Sequence, residues 1–149
     1  MPPAFAPQKQ DDGSFVFPHY APPGMGKMPY VDAVRDTGLF VKALILKNPA
    51  GMSMVGYSEA LSNNEYCEIW RSVHGVEVRS KYLGYDDLVS VGMPEWLALE
   101  TFETGVYVAK FGHTGGDLEV KGPEELGVDV GALRTVEESI RVGDWSSVL

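Results

Sequence analysis

Residues 21–32 read APPGMGKMPYVD, with Gly24 and Gly26 one residue apart and Lys27 directly behind them. Glycines at that spacing cradle phosphate when a strand leads in and a helix N-terminus follows. The free amides and the dipole of that helix then face the anion. Here Gly26 runs into Lys27-Met28-Pro29-Tyr30-Val31, an extended segment, and Pro29 holds the third position of G-x-G-x-x-G. The stretch therefore reads as a loop entering a strand. A second glycine group, Gly112-His113-Thr114-Gly115-Gly116-Asp117, follows a helix. The dipole there has the wrong sign for phosphate. A helix cap and turn account for it, with His113 as an exposed loop histidine that could still serve a site.

Other reactive groupings are sparse. Short-chain dehydrogenases place a lysine four residues after a tyrosine, to lower the tyrosine pKa and hold the ribose. None of the seven tyrosines is followed by one. No G-x-S-x-G elbow occurs, which leaves an esterase of that type unsupported. His19, His74 and His113 lie far apart, without H-x-x-x-H or C-x-x-C, so no metal site is expected, although distant residues can converge in space. Cys67, the single cysteine, lies beside a helix's apolar face and reads as an inert, partly buried thiol rather than a nucleophile. Asp32 and Asp36 read as helix caps, and Glu100 with Glu103 as a solvated pair. Met25, Met28, Met52, Met54 and Met93, with Tyr30, Tyr57, Trp96 and Phe102, could line an apolar pocket. Core packing is the simpler account of them.

The elements that must hold these residues follow from periodicity and punctuation. Residues 1–14, rich in proline and ending in QKQDDG, read as a flexible lead-in, and 15–149 as one domain. A short strand is expected at 14–17, a Pro/Gly loop at 19–26 and an extended segment at 28–31. Leu39, Phe40, Ala43 and Leu44 recur at helical spacing, and Asn48-Pro49 stops that helix. A strand is expected at 53–57. Ser62-Asn63-Asn64-Glu65 is a capping box before a helix with Tyr66, Ile69, Trp70 and Val73 on one face, closed by Gly75. Residues 76–82 alternate as a strand. Asp86-Asp87-Leu88 starts a short helix. Pro94 opens a longer one with Trp96, Leu99, Phe102, Val106 and Phe111 inward, and Thr135 to Glu138 caps the last. Helices mixed with few short strands imply an incomplete α/β or α+β unit of four to five helices.

Composition narrows the class. The 149 residues are 44% hydrophobic and 11% aromatic, enough for one real core. The formal charge of −9, with no basic cluster, argues against a nucleic-acid or anionic-membrane surface. One cysteine fits a reducing compartment. No apolar run spans a bilayer and no secretory signal is evident. A cytoplasmic protein is the expectation.

The ordered series KMPYVDAVRDTGLFVKALI, GYSEALSNNEYCEIW, VEVRSKYLGYDDL, the Trp96 helix, FGHTGGD and the terminal DWSSVL resembles the C-terminal half of NmrA-like proteins. These are an atypical branch of the short-chain dehydrogenase/reductase superfamily, and fungal members are the most similar. The resemblance spans about residues 15–149. It implies an incomplete Rossmann-like half that covers the cofactor and shapes the substrate pocket. The Gly-rich dinucleotide-binding half is expected to be missing, so no cofactor residue carries over and no cofactor is expected for this chain alone, although full-length members use NADP. Family members include reductases of fungal secondary metabolism and dinucleotide-binding regulators of transcription factors. The resemblance thus implies a substrate-side half acting on small molecules or, alternatively, a non-catalytic regulatory module with a nuclear location. His19, Tyr20, Met28 and Tyr30 become the candidate pocket lining, with Trp96 and Phe102 from the apolar set. A hydrophobic small molecule is the implied ligand. A homodimer or another protein partner is expected over the exposed sheet edge and apolar face.

Overall fold

The computed structural model describes residues 7–23, 25–146 and 148–149. Gly24, the first glycine of GMGK, lies outside the described residues, as do residues 1–6 of the lead-in and Ser147 of the WSS ending. The sheet that organises the chain has three strands: β1 (Gln8–Lys9), β2 (Phe15–His19) and β6 (Val78–Tyr82), in that order. β2 and β6 run parallel, with Phe15 opposite Val78 and His19 opposite Tyr82. Between them the chain passes through β3 (Met28–Tyr30), α1 (Ala33–Lys47), β4 (Ser53–Met54), β5 (Glu59–Leu61) and α2 (Asn63–His74). After β6 come α3 (Tyr85–Ser90), α4 (Glu95–Phe111), β7 (Val120–Lys121), a 3-10 turn at Val130–Ala132 and α5 (Val136–Val142). β3 pairs with β5 and β4 with β7 as two separate two-stranded ladders. The mixed α/β class expected from the sequence is what forms, with five α-helices among the described residues.

β2 is longer than its sequence suggests because Pro18 does not end it. The Phe15 amide donates to Glu77 and the His19 carbonyl accepts from Leu83, so odd-numbered positions bond β6. Pro18, which has no N–H, faces the other side, beyond the reach of the two-residue β1. β1 itself lies in the stretch expected as lead-in, where Gln8 and Lys9 pair with Val16 and Phe15.

The helices start where their caps dictate. Ser62 Oγ accepts from the Glu65 amide and the Glu65 carboxylate accepts from the Ser62 amide, closing the capping box of α2. Gly75 ends that helix at φ 68°, a left-handed turn that costs a side-chain-bearing residue more. Thr135 and Glu138 cap α5 the same way. Asp32 caps α1, its side chain accepting from the Arg35 amide. Asp36 does not cap. It lies one turn inside α1, fully buried, and its Oδ2 accepts from the Arg134 amide at 3.0 Å.

α2 lays Trp70 onto the sheet. The Trp70 ring is completely buried, 5.2 Å from Phe15 and 5.3 Å from Phe17, with Trp145 edge-on at 5.7 Å. Val136 and Ile140 of α5 close this cluster from the far side. A second cluster joins Phe40 and Ala43 of α1 to Val128 and Leu133, and a third joins Leu83 and Leu88 to Ala98 of α4.

The inward face of α4 differs from expectation. Ala98 and Gly105 are buried and Phe102 is half-buried against Leu88. Trp96 is 69% exposed, and Leu99, Val106, Tyr107 and Phe111 also point outward. A helix that is apolar nearly all round does not reveal its inner face by periodicity. Here the small residues mark it, because α4 approaches the Tyr20–Pro22 backbone closely at Gly105. Apolar side chains are exposed mainly on α1 and α4, whereas the β6 edge carries Arg79 and Lys81. Among the described residues no helix is long and apolar enough to cross a membrane.

Candidate functional site

In parallel α/β sheets the crevice at the carboxyl ends of the strands is where ligands bind. The carboxyl ends of β2 and β6 are His19 and Tyr82, whose rings lie 6.2 Å apart. The first turn of α2 and the short strand β3 flank this end. Between them is a cavity of about 160 Å³, with Phe17, His19 and Tyr20 on one wall, Met28 and Tyr30 on the second, and Asn63, Tyr66 and Cys67 on the third. Four of the sequence candidates, His19, Tyr20, Met28 and Tyr30, thus come together. Trp96 and Phe102 are not among its lining. Trp96 stands on the outer face of α4, beside a shallow groove with Leu99, Glu100, Glu103 and Tyr107, and Phe102 packs under α3. The sequence misses Asn63 and Tyr66 as lining. Tyr66 falls on the apolar face of α2 and counts there as core. The usable signal is its place directly after the capping box, at the end of α2 that meets the strand ends.

Tyr30 and Tyr66 stack with centroids 5.1 Å apart and planes at 16°. Tyr66 also meets Phe17 edge-on at 5.4 Å. On the far side of the stack, Tyr30 and Tyr66 line a second cavity of about 170 Å³ with Trp145 and Ser139. Burial pushes both phenols up to about 12, with Tyr66, Cys67 and Tyr20 adding to the Tyr30 shift and Cys67 to the Tyr66 shift. Burial likewise pushes the Cys67 thiol up to about 11. These three groups stay protonated near neutral pH, so they can donate hydrogen bonds but do not act as bases or nucleophiles.

His19 is the exception. Burial holds its pKa below the ordinary histidine value, and the Ala21 backbone offsets this only in part. Its Nδ1 is buried without a hydrogen-bond partner among the described residues. A neutral imidazole offers one donor and one acceptor. Among the ionisable side chains of the lining, it is the group that can exchange a proton near pH 7.

The glycine loops take the roles their neighbours impose. Gly26 leads into β3, not into a helix, and Lys27 Nζ pairs with Glu65 at 2.9 Å. Gly112 caps α4 at φ 76°. The turn behind it brings His113 Nε2 to 3.3 Å from the Met28 sulfur, so this loop buttresses the cavity wall from outside. No group of three or more His, Cys, Asp or Glu that could hold a metal occurs among the described residues.

No family model matches the sequence, and no curated protein matches it. Solved structures do. A double-substitution variant of NmrA superposes with a TM-score of 0.65 at 18% identity, over 90% of this chain and 44% of that one. NmrA, a negative transcriptional regulator, in complex with NAD superposes at 0.60 and 17% identity, with the same coverage. Its complex with NADP does so at 0.58 and 17%. At these identities the likeness is one of fold, and in fold it bears out the NmrA-like C-terminal half expected from the sequence. The chain spans 44% of the length of the NmrA chains it resembles.

Proposed function

We propose that this chain is a small-molecule-binding, substrate-side half of an NmrA-like protein, with a role in small-molecule metabolism that includes fungal secondary metabolites. The observation that carries the reading is the apolar cavity at the carboxyl ends of the parallel β2–β6 pair, walled by Phe17, Met28 and the Tyr30–Tyr66 stack and holding one unpartnered histidine nitrogen. Its chemistry is that of a binding site: apolar enclosure, phenol donors and a neutral imidazole. Redox activity by the chain alone is not part of the proposal, because GMGK enters a strand and no Tyr-Lys pair exists. A cytoplasmic location goes with it. The test is binding of anisole, a one-ring probe, followed by NMR. Millimolar or tighter binding that Tyr30→Ala weakens at least fivefold is expected, and an unperturbed spectrum would refute the reading. Calorimetry with NADPH should give no micromolar binding.

A second reading, a regulatory module with a nuclear location, draws on a different observation. The outer face of α4 sets Trp96, Leu99 and Tyr107 beside Glu100 and Glu103 around a groove. Apolar anchors with carboxylates suit a basic, amphipathic segment of a protein partner. A labelled peptide of alternating Lys-Leu turns should bind with an anisotropy change that Leu99→Glu abolishes. A dimer by light scattering that the same variant breaks would assign the face to self-association instead.

A further inference from the structure

The apolar cavity does not end at His19. On the other side of that residue lies an open cleft of about 290 Å³, bounded by Pro22, Ser62, Asn64, Ser80 and Tyr82. His19, Ala21 and Asn63 line both spaces. The two differ in chemistry. The inner one is walled mainly by aromatic and thioether side chains, while the outer one sets the hydroxyls and amides of Ser62, Asn64, Ser80 and Tyr82 beside Pro22, Pro23 and Met25. Ser80 Oγ donates to Asn64 Oδ1 at 2.8 Å, which fixes that polar wall. Among the described residues, no Asp, Glu, Lys or Arg lines either space.

Size sets what can enter. An apolar protein cavity of about 150 Å³ accommodates benzene. The inner space, about 160 Å³, therefore has room for one six-membered ring. The outer cleft is larger and carries most of the hydroxyl and amide groups. An uncharged lining offers no partner for a ligand charge, so the polar part of the ligand is neutral. At the joint stands the His19 imidazole, which borders both spaces and in its neutral form offers one donor and one acceptor. A ligand hydroxyl at that point can bond a ring nitrogen.

We propose that the cavity and the cleft form one site for a neutral ligand made of a single six-membered ring and a hydroxyl-bearing tail, with His19 as the positioning residue between them. The proposal rests on the small-molecule reading above and adds the class of ligand. It is tested on the full chain with two probes, anisole and 3-phenoxy-1,2-propanediol, which share the ring and differ in the diol. Affinities are read from NMR titrations. The diol should bind about tenfold more tightly, since two net hydrogen bonds are gained. His19→Phe keeps a ring against Tyr82 without the nitrogens. It should reduce the diol-over-anisole preference to less than threefold. In the unsubstituted chain the diol, and not anisole, should shift the His19 imidazole nitrogen resonances. That measurement decides the matter where His19→Phe does not fold. Equal affinities for the two probes overturn this proposal and leave the small-molecule reading standing. Failure of both probes overturns both. A diol preference that His19→Phe leaves intact, or diol binding without an imidazole shift, overturns the role of His19.

Discussion

Replacing Gly105 with alanine should destabilise the protein, although in a free helix the same change is favourable. Gly105 lies in the middle of α4, where alanine is worth about 1 kcal/mol more than glycine. The obstacle is tertiary. A Cβ built on Gly105 overlaps the Tyr20 carbonyl oxygen and stands 3.2 Å from Tyr20 Cδ2 and 3.4 Å from Pro22 Cδ. The first of these is backbone and cannot rotate aside. Overpacking typically costs about 1–3 kcal/mol, and a backbone obstacle belongs at the upper end. Subtracting the propensity gain leaves a net loss of about 2 kcal/mol. For a chain of this size that lowers the melting temperature by roughly 4–8 °C. Gly38 in α1 is the control, because it is exposed and a Cβ there meets nothing within 4 Å. Gly38→Ala should raise stability by about 0.5–1 kcal/mol. Thermal melts followed by circular dichroism compare the two directly. If Gly105→Ala melts at or above the unsubstituted chain, α4 does not approach Tyr20 as described. The same displacement of Tyr20 would narrow the cavity, so anisole affinity should fall in Gly105→Ala and stay unchanged in Gly38→Ala.

Four further outcomes follow. Asp36→Ala leaves the Arg134 amide without its acceptor and should cost about 1–3 kcal/mol in urea titrations, with Asp36→Asn milder because it keeps an oxygen. Burial lowers the His19 pKa below its ordinary value of 6.5, so on acidification the unfolded chain takes up the proton first. The His19 share of stability is thus fully present above that value and is lost as pH falls from 6.5 toward the folded pKa. Urea midpoints should drop less between pH 7 and pH 5 in His19→Gln. Ser62→Ala removes the acceptor of the α2 capping box and should cost about 1 kcal/mol, measured by thermal melting. Cys67, buried and with its thiol raised to about 11, should react with a chromogenic disulfide reagent at least tenfold more slowly at pH 7.5 than in the urea-unfolded chain. Equal rates would contradict the burial.

Local signals were legible where chemistry and geometry coincide over a few residues. The α2 and α5 boxes, the Asp32 cap and the Gly75 terminus all form at their expected positions, because each is decided within one turn of helix. The inward face of α4 was not legible, since its outer face is nearly as apolar and the decisive contact, Gly105 against Tyr20, joins residues 85 positions apart by their numbers. β5 and the pairing of β4 with β7 escaped for a related reason: two- and three-residue strands have no period to detect, and only their distant partners define them. Asp36 looked like a cap because acidic residues favour helix starts, yet its partner is an amide from the far end of the chain. The candidate site was half legible. His19, Tyr20, Met28 and Tyr30 fall in the two segments that lead to and from the loop at the strand ends. Asn63 and Tyr66 come from α2, whose proximity depends on the crossover from β2 to β6.

The parallel pairing of β2 with β6 also sets a timetable for synthesis. Phe15 waits for Val78, which is 63 residues later by their numbers (78 minus 15), before its strand has a long partner. At about 5–20 residues per second on the ribosome, the run Phe15-Val16-Phe17 stays unpaired for roughly 3–13 s. Among the described residues made before it, the two of β1 are on hand to pair with it. A short, apolar, unpaired strand is what holding chaperones bind and what drives aggregation in their absence. Yield on expression should therefore depend more on temperature and chaperone supply than the equilibrium stability of the finished fold would suggest.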